Sequence, residues 1–212
     1  MTNLLLNTDL ALDDVDAADD RMRRRLGLIR EETGRLSRIV DNVLAFARLE
    51  RDPAKLLPSL CDADRVVEEV RENFAPLFAR KSIHCEFEGS FGEEVDLDRD
   101  AFAQILSNLL SNVEKYAGEQ ARAKVSISSN TTAWMIEVSD DGPGIPLEAR
   151  ERIFQPFERV VSSAREGVSG TGLGLAISRE LAERMGGRLE LVDSERGALF
   201  RLQIPRTEKR AA

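Results

Sequence analysis

A chain of 212 residues, 42% apolar and 32% charged, has the length for one or two domains with buried cores and is too hydrophobic to be a disordered segment. Its formal net charge of −8 argues against a general nucleic-acid binder, which carries a basic surface, and leaves local phosphate binding open. Cys61 and Cys85 lack metal-ligand spacing, so they read as small core hydrophobes in a reducing compartment, and no apolar run nears the ~20 residues of a membrane span. The opening Met-Thr-Asn-Leu-Leu-Leu-Asn has neither a basic region nor a cleavage site. The chain as given is therefore expected to be cytoplasmic, with no membrane contact of its own, which is compatible with a parent protein anchored in an inner membrane.

In chain order, residues 4 to 18 read as the end of an amphipathic helix. From Arg21 to Arg51 a heptad seam appears, with Met22, Leu26, Ile29, Thr33, Leu36, Val40, Val43 and Ala47 at three- and four-residue steps, widened by Ile39, Leu44 and Phe46. Two helices cannot bury so broad a stripe between themselves, so the pattern predicts a hairpin that pairs with a second copy as a four-helix bundle, a homodimer. Asp52-Pro53 to Pro58 ends the helix and marks the domain boundary.

Beyond it the texture is mixed. A short strand near Leu60 precedes a helix over about 64 to 80, then a strand in which Ile83, Cys85 and Phe87 alternate with His84, Glu86 and Glu88. An extended piece at Val95 to Leu97 leads to Asp98 or Asp100, either a suitable N-cap for the next helix. Strands around Val125 and Trp134, a helix from about Leu173 to Met185 stopped by Gly186-Gly187, and a hairpin of 189 to 192 with 198 to 204 complete the chain. The fold class expected is α+β: the helical hairpin followed by an α/β sandwich with helices on one face of a mixed sheet.

Four segments carry chemistry. In the helix around Gln104 to Ala117, one face is apolar and the other gathers Gln104, Asn108, Ser111, Asn112 and Lys115. Two amides a turn apart with a cation suit a metal ion and phosphate oxygens, and suit plain solvent equally well. Asp140-Asp-Gly-Pro-Gly-Ile145 offers a carboxylate beside a tight backbone turn, and Gly170-Thr-Gly-Leu-Gly174 opens into a helix as a phosphate cradle does. Each is ordinary turn chemistry when alone, and the second is not a Walker loop, since no Lys-Ser/Thr follows. Between them Ile153-Phe-Gln-Pro-Phe-Glu-Arg-Val160 and the small-residue run after it read as an anchored lid.

In this order and spacing the four segments resemble the N, G1, F and G2 boxes of the sensor histidine kinases. Leu36 to Glu50 resembles the second helix of that family's dimerisation and phosphotransfer hairpin. The resemblance implies an ATP-binding fold of the gyrase and histidine kinase type over 59–206, a truncated hairpin over 1–52, a linker at 53–58 and a tail at 207–212. It implies ATP and Mg2+ as cofactors and a response-regulator receiver domain as partner. Residue by residue, it implies that Asp140 accepts the adenine amino group, Gly142, Gly144 and Ile145 shape the base pocket, and Asn112 holds Mg2+. Asn108, Lys115 and Tyr116 are implied on the phosphate side, with Asn108 and Lys115 in the catalytic role. Phe154, Phe157 and Arg159, with Arg165 as a further candidate, are implied from the lid, and Gly170, Thr171, Gly172, Leu173 and Gly174 around the phosphates.

Hydrolytic relatives of this fold place a glutamate where Asn108 stands, and an amide is no general base, so the site is expected to favour transfer over hydrolysis. The family's acceptor-histidine box is missing. The one histidine, His84, reads as an ordinary exposed side chain, so the chain taken literally is expected to bind Mg-ATP without phosphorylating itself. A non-catalytic ATP-binding and dimerisation module, or a gyrase-type ATPase, are the alternative readings.

Overall fold

The computed structural model describes residues 56–158 and 171–206 together with positions 22, 25–27, 29, 33, 36 and 40. The chain divides into two compact units, Met1–Arg51 and Asp52–Ala212.

In the first unit every described position is helical, and the expected seam residues Met22, Ile29, Leu36 and Val40 are exposed in the single chain. Leu26 is half-buried and Thr33 is buried, its hydroxyl donating to the Ile29 carbonyl one turn back at 2.8 Å. That bond satisfies a polar group on an otherwise apolar seam. Segment 4–18, the later seam positions Val43 and Ala47, and the tail 207–212 lie outside the described residues.

The second unit opens with β1 (Ser59–Cys61), α1 (Ala63–Arg80), β2 (His84–Glu88), β3 (Val95–Leu97) and α2 (Arg99–Tyr116). Next come β4 (Arg122–Ser129), β5 (Ala133–Asp140), 3-10 turns at Leu147–Ala149 and Arg152–Phe154, α3 (Gly174–Arg184), β6 (Arg188–Val192) and β7 (Leu199–Pro205). The main sheet has the order β2-β4-β5-β7-β6, with β2 parallel to β4 and the other pairings antiparallel. Strands β1 and β3 form a separate antiparallel ribbon. This is the expected sandwich.

Local chemistry explains the helix starts. Asp62 caps α1 by accepting the Arg65 amide at 3.0 Å, and Asp98 caps α2 by accepting the Ala101 amide at 2.9 Å. The other Asp98 oxygen accepts the Leu57 amide at 2.8 Å, so one carboxylate both begins α2 and secures the chain entering the unit. At the far end of α2, Lys81 donates to the Glu114 carbonyl (2.6 Å) and pairs with its carboxylate (2.7 Å), joining the end of α1 to it.

Inward-facing positions alternate along β4, β5 and β7, and Val125, Ile127, Ile136, Val138, Leu202 and Ile204 are all buried. Helix α2 supplies Phe102, Ile105, Leu106, Leu109, Leu110 and Val113 to the same core. Phe91 links the two ends of this layer, lying edge-on to Phe102 at 5.7 Å and tilted against Trp134 at 4.9 Å.

Two expectations need correction. Ser111 is buried with the core stripe of α2 instead of standing on the amide face, because that stripe is wide enough to include it. The cysteines are half-buried, not core; burial still pushes the Cys85 thiol up to about 11, which keeps it protonated near neutral pH.

Phe102 has no exposed surface, so Phe102→Ala leaves a cavity under α2 and is expected to cost about 3–5 kcal/mol in urea unfolding. A loss below ~1 kcal/mol would show that α2 is not held by this core.

Candidate functional site

Helix α2 carries the site on the side that the core does not take. Gln104, Asn108, Asn112, Lys115 and Tyr116 are half-buried there, while Ile105, Leu106, Leu109, Leu110 and Val113 between them are in the core. Asn108 is engaged across to α3: its Nδ2 donates to the Gly174 carbonyl and to the Ser178 hydroxyl, each at 3.1 Å. At the other end of the helix, Gly142 lies so close to Ala117 that a Cβ there would sit 2.7 Å from the Ala117 Cα. The two glycine turns, far apart in sequence, are thus set against one helix, and Asn112 falls between their contact points. Those points are about 13 Å apart along the helix axis.

Asp140 is the last residue of β5 and is half-buried. Its Oδ1 accepts the Gly142 amide at 2.9 Å and the Ala198 amide at 3.4 Å, which fixes the carboxylate against the backbone of its own turn. The β6–β7 loop closes behind it. Arg196 donates to the Asp141 carbonyl at 3.0 Å, Ser194 to the Gly197 carbonyl at 3.1 Å, and Arg150, which also reaches the Ile145 carbonyl at 3.4 Å, pairs with Asp193. Gly197 is wedged between both ends of the turn. At φ +69 its Cβ would lie 1.8 Å from the Asp140 carbonyl oxygen, while a Cβ on Gly144 would lie 2.9 Å from the Gly197 carbonyl oxygen. No side chain fits at position 197 without moving Asp140.

The aromatic segment divides in two. Phe154 is buried edge-on against Phe200 at 6.2 Å, and the Arg179 guanidinium covers its ring at 3.4 Å from the centroid. Burial lowers the Arg179 pKa, and the cation is held by the ring face. Phe157 is 68% exposed, so only one of the two expected aromatic anchors is buried. Phe157 instead contributes backbone: at φ 66 its amide donates to the Gly172 carbonyl at 3.0 Å. Gly172 is itself left-handed at φ +70 with the Phe157 carbonyl carbon 2.7 Å from where its Cβ would be, so the aromatic segment and the second glycine cluster interlock through main chain.

Thr171 accepts the Leu173 amide on its hydroxyl at 3.3 Å, and Leu173 itself is buried. The start of α3 has no side-chain cap, which leaves its first amides directed out of the helix as anion-binding amides are. Arg159, Arg165 and Gly170 lie outside the described residues.

A cavity of about 610 Å³ at the β2, β4 and β5 strands is lined by His84, Glu86, Arg122, Lys124, Asp141 and Arg196, and also by Asp140. Several of its polar groups are paired: His84 bonds to Glu86 at 3.2 Å, Arg196 pairs with Asp141 at 3.5 Å, and Lys124 pairs with the neighbouring Glu88 at 2.7 Å. The His84 side chain is 73% exposed, as expected of an ordinary surface histidine. The pairing is that of a solvated sheet face.

The order of elements and the glycine turns along α2 have counterparts among known proteins. Residues 97–208, more than half of the chain, match the family described as Histidine kinase-, DNA gyrase B-, and HSP90-like ATPase. The chain belongs to that ATPase family. Its relatives lie on the sensor histidine kinase side: Sensor protein IrlS of Burkholderia pseudomallei (strain K96243) is 34% identical over 195 residues, 92% of this chain and 41% of IrlS. The catalytic domain of histidine kinase ThkA is 30% identical with a TM-score of 0.64, over 72% of this chain and 99% of that one. ThkA in complex with response regulator protein TrrA shares the fold at TM-score 0.68 and 23% identity, over 99% of this chain and 59% of that one. Full-length ShkA in complex with AMPPNP is 27% identical with a TM-score of 0.71, over 97% of this chain and 43% of that one. The chain thus spans less than half the length of IrlS and of ShkA.

Within the ATPase-family domain, three residues escape a reading of the motifs. Gly197 and Arg196 sit in what looks like an ordinary hairpin loop, and Ser178 looks like a helix-interior serine. The signal for Gly197 was its place just before β7, where a lone glycine marks close backbone approach. Ser178 had no such signal, since its role depends on α3 lying against α2. Gly197→Ala forces Asp140 off its seat, so it is expected to lower stability by about 2–3 kcal/mol in urea unfolding, from backbone strain and steric overlap together. A change under ~0.5 kcal/mol would show that the loop yields and does not brace the turn.

Proposed function

We propose that this chain is the nucleotide-binding catalytic region of a two-component sensor histidine kinase, which moves the γ-phosphoryl group of ATP to a histidine side chain for relay to a response-regulator receiver domain. The observation that carries this reading is the seating of both glycine turns against α2, with Asn112 between them. The spacing leaves room for a base at the Asp140 end and a phosphate chain at the Gly172 end. On this reading 59–206 is the catalytic domain, 53–58 a linker and 1–52 part of a dimerisation hairpin. The domain works in the cytoplasm, where its nucleotide is. No helix among the described residues is long and apolar enough to cross a membrane.

Asp140 binds the base through its carboxylate, which the Gly142 and Ala198 amides hold in place. Gly142, Gly144 and Ile145 form the floor of the base pocket, and the Thr171, Gly172 and Gly174 amides around the start of α3 receive phosphate oxygens, while the Leu173 amide is taken by the Thr171 hydroxyl. Lys115 and Tyr116 stand near the base end of α2, and their long side chains reach from there toward the phosphate side. Phe154 anchors the segment that carries Phe157 and Arg159 toward the nucleotide, and Gly170 and Arg165 belong to the same side.

The site suits Mg2+ in the way this ion is usually held. Among the described residues no group of three or more His, Cys, Asp or Glu side chains gathers to cage a metal. A hard ion that keeps waters and substrate phosphates needs few protein ligands, and the half-buried Asn112 amide offers one neutral oxygen. When bound, Mg2+ neutralises phosphate charge. The chain's own residues orient the nucleotide and hold the transferred group in line with its acceptor. Asn108 is an amide with no basicity, so no residue at that position activates water, which favours transfer over hydrolysis.

His84, exposed on the sheet and bonded to Glu86, is read as an ordinary surface histidine and not as the acceptor. Transfer is therefore tested with a separate helical fragment carrying an acceptor histidine. The exposed Met22, Ile29, Leu36 and Val40 belong to the seam of the first unit, and a second copy of the hairpin would cover them.

Calorimetry with ATP tests the central assignment. Wild type is expected to bind ATP much more tightly with Mg2+ than with EDTA. Asn112→Ala is expected to keep its melting temperature within a few degrees and lose the Mg2+-dependent part of the affinity, more than about tenfold. Retained Mg2+ dependence in that variant would overturn the assignment of the metal side.

A further inference from the structure

Asn108 presents an asymmetric amide. Its nitrogen has two N–H groups, and two acceptors take them: the Gly174 carbonyl oxygen and the Ser178 hydroxyl oxygen, both at 3.1 Å. These acceptors are one turn apart on the same side of α3, so they form a fork that receives the whole NH2 group. A carbonyl oxygen can only accept, which makes the assignment of nitrogen and oxygen in this amide a matter of chemistry and not of choice. Among the described residues, no group donates to the remaining Asn108 oxygen.

Ser178 is wholly buried, with 0% of its surface exposed. A buried hydroxyl in the middle of a helix commonly turns back onto the carbonyl a turn earlier. Here it accepts from a side chain on another helix. The other buried residues of its helix, Ile177, Leu181 and Ala182, are apolar, so Ser178 is the one polar side chain on that buried face.

We propose that Ser178 is a positioning residue for the nucleotide site: together with the Gly174 carbonyl it engages both N–H groups of Asn108 and so fixes the amide with its oxygen as the only group left for a ligand. This rests on the nucleotide-binding reading above. The consequence is specific. Phosphate oxygens are acceptors and gain nothing from another acceptor, so the outward oxygen serves a cation or a water held by one, a turn away from Asn112. Without Ser178, one amide N–H loses its acceptor, the amide is free to rotate, and a donor replaces the acceptor for part of the time.

The test is the Mg2+ concentration needed for half-maximal ATP binding, set beside the affinity for AMP measured without metal. Ser178→Ala is expected to raise the Mg2+ requirement about three- to tenfold, the worth of one hydrogen bond, with AMP affinity unchanged. Ser178→Cys keeps the shape with a weaker acceptor and is expected to fall between the two, and it serves as the variant of record if alanine unfolds the domain. In an Asn108→Ala background, Ser178→Ala is expected to add nothing further, since it acts through Asn108. Equal losses for ATP and AMP, or no change in the Mg2+ requirement of either variant, would overturn the proposal and leave Ser178 as packing alone. If wild type shows no Mg2+-dependent ATP affinity at all, the nucleotide reading fails with it. If wild type shows it and Asn112→Ala loses it while the Ser178 variants do not move, the inference fails alone.

Discussion

Burial of the Phe102 to Val113 stripe of α2 against the sheet is the constraint from which the rest of the second unit follows, because a helix held along one side presents its other side at set positions. The core stripe has no slack: Phe102, Ile105 and Leu110 have no exposed surface. Rotating the helix by one residue to reposition the amides would turn about 100° of apolar surface into solvent. The amide face therefore has a fixed register relative to both glycine turns. A polar constellation gains its geometry from an apolar one.

The glycine turns take their shape from neighbours more than from their own sequence. Gly172 is pressed against the backbone of Phe157 and Glu158, Gly142 against Ala117, and Gly144 against Gly197. In each case the absent side chain makes room for main chain of another segment. The turns are consequently rigid where they meet the domain and open where they face the site. The Arg179 stack on Phe154 adds a similar brace from α3, joining the aromatic segment to the same helix whose start carries the second cluster. Two contacts thus run through α3: the Asn108 amide holds it to α2, and the Arg179 guanidinium holds the aromatic segment to it.

What the residues made legible divides along local and non-local lines. The period of three and four in α2, the alternation in β4 and β5 and the Asp98 cap are short-range patterns, and the structure follows them within a residue or two at most ends. The order of the four motifs pointed to the family before any fold was in view. The sandwich, too, could be read from the mixture of elements. The roles that depend on which segments meet were not legible. Ser111 was read onto the amide face because a helical wheel does not show how wide the core contact is. Phe157 was read as a second anchor because spacing does not separate a buried ring from an exposed one. Gly197 and Ser178 carry no motif, and their parts follow from the β6–β7 loop closing on Asp140 and from α3 lying against α2. Most of the hairpin and the later lid residues lie outside the described residues.

The amide at position 108 has a meaning that goes beyond its lack of basicity. A carboxylate there would face the Gly174 carbonyl oxygen, acceptor against acceptor, with no proton between them. It would also need Ser178 to turn its hydroxyl into a donor. One lost interaction becomes a repulsion beside a buried group, and an unsatisfied buried polar group alone costs about 1–3 kcal/mol. A relative that places a glutamate at this position to activate water must therefore begin its α3 differently, or carry the longer side chain past the carbonyl. On the proposed reading, transfer in place of hydrolysis rests here on a matched set of residues on two helices. Asn108, the Gly174 carbonyl and Ser178 form that set here, and changing the first without the others breaks the seam between α2 and α3 before it creates any new chemistry.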